Sequence, residues 1–235
     1  MRLVLASKSP ARLATLKAAG VTPVVIVSDV DEDAVTDALY AAPEPPTPAE
    51  EVSALARAKA EAVVADLEGH GPHDLAATRR EALEELGGQD LLVVGCDSML
   101  HINGRMVGKP HTPDVAAERI REMRNGEAVL WTGHHLHRLS PAGAGWRAED
   151  STTRSAQTLV RFGDMTDEEI DAYVATGEPL NVAGSFTIDA LGGPFVEGVD
   201  GDPHSVVGIS LPLLRHMGRD LGVFWPDLWD SMRTA

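Results

Sequence analysis

Apolar residues fall along this chain in two periods, and the change from one to the other marks its elements. Residues 3–5 form a short apolar run, and a helix-like stretch over 11–19 follows almost at once. Ser9 suits the N-cap of that helix, Pro10 its first position and Gly20 its stop. A second strand is expected over 21–27, then an acidic run and a Pro-rich connector over 43–48. Thr47-Pro48-Ala49-Glu50 is a capping box that opens an Ala-rich helix over 49–67. Gly69 to Pro72 breaks it, and 74–86 reads as a short polar helix. Residues 91–94 are continuously apolar, as in a strand buried on both faces of a central sheet.

Asn103-Gly104 marks a tight hairpin turn, and Thr112-Pro113 opens a helix to about Arg124. Alternation predicts strands over 128–139 and 151–162, joined by SPAGAGWRAED. Thr166 to Glu169 is a second capping box, whose helix closes before Gly177. A last helix over 211–221 precedes a Trp-containing tail, residues 222–235. Helices and strands alternate early and strands pair as hairpins later, which predicts an α/β fold with a mixed central sheet flanked by helices. No repeat or long linker divides the chain, so residues 1–235 are expected to form one domain.

Composition narrows the function classes. The 235 residues are 43% hydrophobic, enough for a substantial core, yet no apolar stretch approaches the roughly 20 residues that span a bilayer. The amino terminus lacks the pattern of a signal peptide, and the single cysteine, Cys96, agrees with a reducing cytoplasm. Set in a Val-rich strand, Cys96 reads as a small buried residue rather than a nucleophile. A formal net charge of −16 argues against nucleic-acid polymers and anionic membranes as partners. A small polyanion such as a nucleotide remains open if cations and a divalent metal converge locally.

Several residues could carry such chemistry. Between the first strand and helix lies Ala6-Ser7-Lys8-Ser9-Pro10-Ala11-Arg12, rich in hydroxyls and cations. A helix start offers free backbone N–H groups and the positive end of a dipole, so this segment reads either as a phosphate-binding loop or as an ordinary capped junction. Asp97 directly follows a buried strand and Gly95-Cys96, at the sheet edge where α/β sites form; it could bind metal, activate water or cap a turn. Lys59 lies in an Ala/Val-rich helix and could simply snorkel, whereas Lys109 is held between Gly108 and Pro110. Asp31 and Glu32 lie in an acidic run that reads as a solvated loop. His134, His135 and His137, and the turn pair His70 and His73, lack a partner Cys or Glu at a recognised zinc spacing and read as exposed. Trp225 and Trp229 suit packing of the tail onto the body or onto a second copy in a homodimer.

The opening LASKSPAR resembles the LASxSPRR signature of the Maf family of nucleoside triphosphate pyrophosphatases. Further family-like pieces follow in order: Asp31-Glu32, LARAKA, GCDS, GKP, GEPLNVAGSF and GDPHSVVGISLPLL. The resemblance implies a Maf/inosine triphosphate pyrophosphatase-like fold and hydrolysis of a nucleoside triphosphate to the monophosphate and pyrophosphate, with house-cleaning of nucleotide pools as its purpose. It implies Asp97 as proton acceptor, Glu32 and Asp97 as ligands of Mg²⁺ or Mn²⁺, and Ser7, Ser9, Arg12, Lys59 and Lys109 as phosphate contacts. One departure is Ala11, where the family pattern has a first arginine; another is 68–90, which against that pattern reads as a peripheral insertion, because Lys59 and GCDS lie closer in sequence there.

Three family positions bear on base preference, here Arg12, Ser98 and Asp189. The chain departs from members that act on dTTP and UTP and looks closer to those acting on 7-methyl-GTP. An ionised Asp only accepts hydrogen bonds, which suits the donor edge of guanine. Two rival readings stay open: an inosine/xanthosine triphosphate pyrophosphatase, and a non-catalytic nucleotide-binding regulator of septum formation.

Overall fold

The apolar run at the amino terminus is strand β1 (Arg2–Ala6), paired in parallel with β2 (Val24–Val25) on one side and β3 (Leu91–Ile102) on the other. Arg2 stands opposite Leu91 and Ala6 opposite Gly95. The computed structural model describes residues 1–69, 84–143 and 145–233. Their strands β4 (Arg105–Val107), β5 (Glu127–Ala142), β6 (Gly145–Phe162) and β7 (Val196–Asp200) complete one mixed seven-stranded sheet of order β2-β1-β3-β5-β6-β7, with β4 paired to β3 off that path. The expected α/β class and mixed sheet are therefore observed.

Contacts divide the chain into two compact units, one of Met1–Asp97, Gly133–Ser155 and Leu211–Ala235, the other of Ser98–Thr132 and Ala156–Ser210. In the first, helix α1 (Pro10–Ala18) lies between β1 and β2 in the chain, and α2 (Glu32–Tyr40) and α3 (Pro48–Leu67) follow β2. Its core joins Val4 and Ala6 of β1 and Val93 of β3 to Ala60, Val63 and Val64 of α3. The first unit also holds α7 (Leu211–Asp220) and α8 (Asp230–Arg233). The tail is tied to its own chain: Asp230 accepts from the Thr22 amide at 3.1 Å and the Thr22 hydroxyl at 2.8 Å, and the Trp229 ring lies beside Gly20.

The second unit carries α4 (Pro113–Met123), α5 (Asp167–Ala175) and the single-turn α6 (Pro203–Val207). Its core includes Leu100, Ile120, Leu130, Phe162 and Phe186, the two rings edge-on with centroids 4.9 Å apart. The hairpin turn at Asn103-Gly104 has both residues at positive φ, 49° and 75°, as the dipeptide predicts.

Differences from the expected elements have local causes. β2 pairs over two residues rather than spanning 21–27, because it lies at the sheet edge beside Pro23, which has no amide to donate. Part of the acidic run is helix α2, capped by Asp31, with Glu32 and Asp33 in its first turn, where carboxylates meet the positive dipole end. Residues 74–83 of the expected polar helix, most of the 68–90 insertion and His70 and His73 lie outside the described residues. Among the described residues no helix is long and apolar enough to cross a membrane.

Candidate functional site

Two close approaches of backbone position the chemistry of the first unit. At Gly95 in β3 a Cβ would stand 2.2 Å from the Ala56 carbonyl oxygen and 2.8 Å from the Ala60 nitrogen. At Gly133 in β5 it would stand 2.1 Å from the Val52 oxygen. Only glycine lets α3 lie this close to the sheet. Gly133 was not singled out in the sequence, since no local turn signal surrounds it.

With the helix held there, Lys59 of α3 reaches Asp97, two residues beyond Gly95. The Lys59 Nζ donates to Asp97 Oδ1 at 2.6 Å and lies 3.1 Å from Glu32 Oε2 at the start of α2. Lys59 and Asp97 are both buried, while Glu32 reaches in from the exposed surface. Lys59 is thus no snorkelling surface lysine. Burial pushes the Asp97 carboxyl above its usual range, outweighing the Lys59 and Arg12 charges that pull it down, and Glu32 adds to the rise. Such a carboxylate is a better proton acceptor than a solvated one.

The loop after β1 is drawn to the same strand end. Arg12 Nη1 donates to the Cys96 carbonyl at 2.9 Å and to Ser7 Oγ at 3.1 Å. Ser7 Oγ also accepts from the Ser9 amide at 3.2 Å, and Ser9 caps α1 by accepting from the Arg12 amide. Ser7, Ser9, Arg12, Lys59, Glu32 and Asp97 therefore belong to one neighbourhood of the first unit. Cys96 is buried between them, and burial pushes its thiol up to about 11, which leaves it inert as a nucleophile.

The other expected positions lie in the second unit. Lys109 is exposed, but its backbone is braced: the Gly108 carbonyl accepts from Arg119 Nη1 at 2.6 Å and from the Gly184 amide at 3.2 Å. Arg119 also reaches Ser185 Oγ at 3.3 Å, so one side chain ties GKP to AGSF. Arg119 shares a helical face with buried Ala116, Ile120 and Met123, a periodicity from which its inward setting could have been found. Ser98 shares a 3.0 Å hydrogen bond with Thr132, and Asp189 is exposed. The segment bearing Asp189 is organised by Glu178, which accepts from Thr187 Oγ1 at 2.6 Å and from the Leu191 and Gly192 amides at 3.3 and 3.2 Å. Nothing in the local sequence marked Glu178 for that role.

One expectation is overturned. His134 and His135 are buried, 0% and 2% exposed, and the face of β5 that carries His135 is covered by α3 where it crosses Gly133.

Asp97 and Glu32 both face the Lys59 ammonium, and their carboxylate oxygens are donors of the kind that hard divalent cations take.

The Maf-like protein family model matches residues 2–221. A protein of Nocardia farcinica named nucleoside triphosphate pyrophosphatase is 49% identical over 97% of this chain and 96% of its own length. Proteins with the same name from Saccharopolyspora erythraea and Streptomyces coelicolor are 48% and 45% identical, each over 97% of this chain and over 97% and 94% of their own.

Proposed function

The chain belongs to the Maf-like family, and on that premise we propose that it is a nucleoside triphosphate pyrophosphatase, a hydrolase acting on the α–β anhydride of its substrate. The observation that carries the reading is the buried Asp97, whose carboxyl is held above its usual range beside Lys59 and Arg12. Water attacks the α-phosphorus and gives its proton to a free oxygen of Asp97. The bond from that phosphorus to the bridging oxygen breaks, and pyrophosphate leaves with the bonding pair, giving the nucleoside monophosphate.

Phosphoryl transfer of this kind needs positioning and charge neutralisation more than covalent chemistry. Ser7, Ser9 and the amides at the start of α1 supply donors, with Arg12 and Lys59 supplying positive charge. Arg12 is locked by Ser7 and the Cys96 carbonyl, so its guanidinium is pre-organised rather than ordered by the substrate. Mg²⁺ or Mn²⁺ held by Asp97 and Glu32 would supply further charge for the phosphate oxygens. Family membership adds Lys109 as a triphosphate contact and Ser98 and Asp189 as positions bearing on base choice. An exposed aspartate accepts hydrogen bonds only, which supports a base with a donor edge, guanine or its 7-methyl form. House-cleaning of modified nucleotides follows from that substrate class, and the cytoplasm is its compartment.

Product analysis with a panel of normal and modified triphosphates and Mg²⁺ or Mn²⁺ tests the reaction. Monophosphate and pyrophosphate in equal amounts are expected. Orthophosphate as first product contradicts the reading, and binding without turnover favours the regulator of septum formation. Preference for inosine or xanthosine triphosphate favours the other rival.

A further inference from the structure

A second cluster of ligating side chains lies on the first unit, away from Asp97. Glu61 of α3 and His135 and His137 of β5 each bring a ligand atom within 4.8 Å of the other two. Gly133, His135 and His137 alternate along β5 and so share one pleated face, the face on which α3 rests at Gly133. The two imidazoles meet edge-on with centroids 4.7 Å apart.

These rings are unsatisfied. His135 is 2% exposed, and its Nε2 and both ring nitrogens of His137 are buried without a hydrogen-bond partner. Buried polar atoms almost always have a partner, so three orphan nitrogens beside a carboxylate ask for one. The other side of His135 is engaged: Nδ1 lies 2.6 Å from Thr153 Oγ1, which also accepts from Arg57 Nη2 at 3.1 Å. A threonine hydroxyl can accept both N–H groups. With the His135 proton on Nδ1 the Nε2 lone pair is free, the arrangement by which an outer oxygen orients a metal-binding histidine.

We propose that Glu61, His135 Nε2 and a His137 ring nitrogen form a Zn²⁺ site, with a fourth position left to water. Two imidazoles and one carboxylate are the donor set of borderline metals, whereas Mg²⁺ would demand oxygens throughout. Zinc here would staple α3, the helix that carries Lys59, to β5.

The test uses the full chain stripped with EDTA and titrated with Zn²⁺, and with Co²⁺ for its visible spectrum. One equivalent of Zn²⁺, a tetrahedral Co²⁺ spectrum and a Zn²⁺-dependent rise in melting temperature are expected. Glu61→Gln and His137→Gln should each weaken Zn²⁺ by about tenfold or more and abolish that rise, while Asp97→Asn should bind Zn²⁺ as before. Glu61 is exposed, so its variant carries the test if His137→Gln fails to fold. No binding by the unaltered chain, undiminished binding by Glu61→Gln, or loss of binding in Asp97→Asn would each overturn the site.

Discussion

The Lys59 ammonium sits 2.6 Å from Asp97 Oδ1 with both side chains close to nine-tenths buried, the ion pair at the heart of the candidate site. Its geometry depends on how near α3 can lie to β3, and that distance is set by a hydrogen atom at Gly95 where any other residue has a Cβ.

Gly95→Ala is therefore expected to damage stability and activity together. The new methyl would meet backbone atoms of α3 at 2.2 and 2.8 Å, and backbone cannot rotate away. Overpacking of this kind costs about 1–3 kcal/mol or more, and the helix shift moves Lys59 from Asp97. Gly108→Ala is the control, since nothing lies within 4 Å of its added Cβ; its denaturant midpoint should correspond to a change below about 0.5 kcal/mol.

Arg12 donates from one nitrogen to Ser7 Oγ and the Cys96 carbonyl. A lysine keeps the charge but not the planar fork that holds both contacts while offering further donors to phosphate. Arg12→Lys should lower kcat/KM by about tenfold or more, with stability changed by about 1 kcal/mol. Steady-state kinetics beside thermal melts separates the two.

Much of this arrangement is legible in the sequence, and the exceptions share a cause. The capping boxes at Thr47 and Thr166, the Ser9 cap and the Asn103-Gly104 turn are local, and each is observed. Asp97 and Lys59 carry no local signal of their meeting, and only the family resemblance joined them before the structure did. Helix α2 was hidden because carboxylates at Asp31, Glu32 and Asp33 read as solvated charge, although a helix start is where such charge is favourable. The burial of His135 depends on α3 crossing β5 at Gly133, a contact between segments distant in sequence. Glu178 gathers donors from Thr187, Leu191 and Gly192, and no periodicity announces a loop carboxylate of that kind.

Glu178 also yields a pH dependence. Burial raises its carboxyl, but bonds from Thr187, the Leu191 and Gly192 amides and Tyr173 outweigh that and hold it below the usual range. A depressed carboxylate stabilises the fold above its unfolded value, about 4.3, and the contribution is lost as pH falls through the folded value. Glu178→Gln should cost about 1–2 kcal/mol at neutral pH, by weakening charge-assisted bonds. The difference in unfolding free energy between the two proteins should narrow below about pH 4. A gap that stays constant or widens toward acid would contradict this account of the loop.

The central claim is that Asp97 takes the proton of the attacking water, and pyrophosphate release by Asp97→Asn under saturating triphosphate and Mg²⁺ tests it most directly. The amide keeps the size of the side chain and cannot accept that proton. A fall in kcat of about a hundredfold or more, with triphosphate still bound and the fold intact by circular dichroism, is the expected result. Turnover within a few-fold of the unaltered enzyme would contradict the assignment.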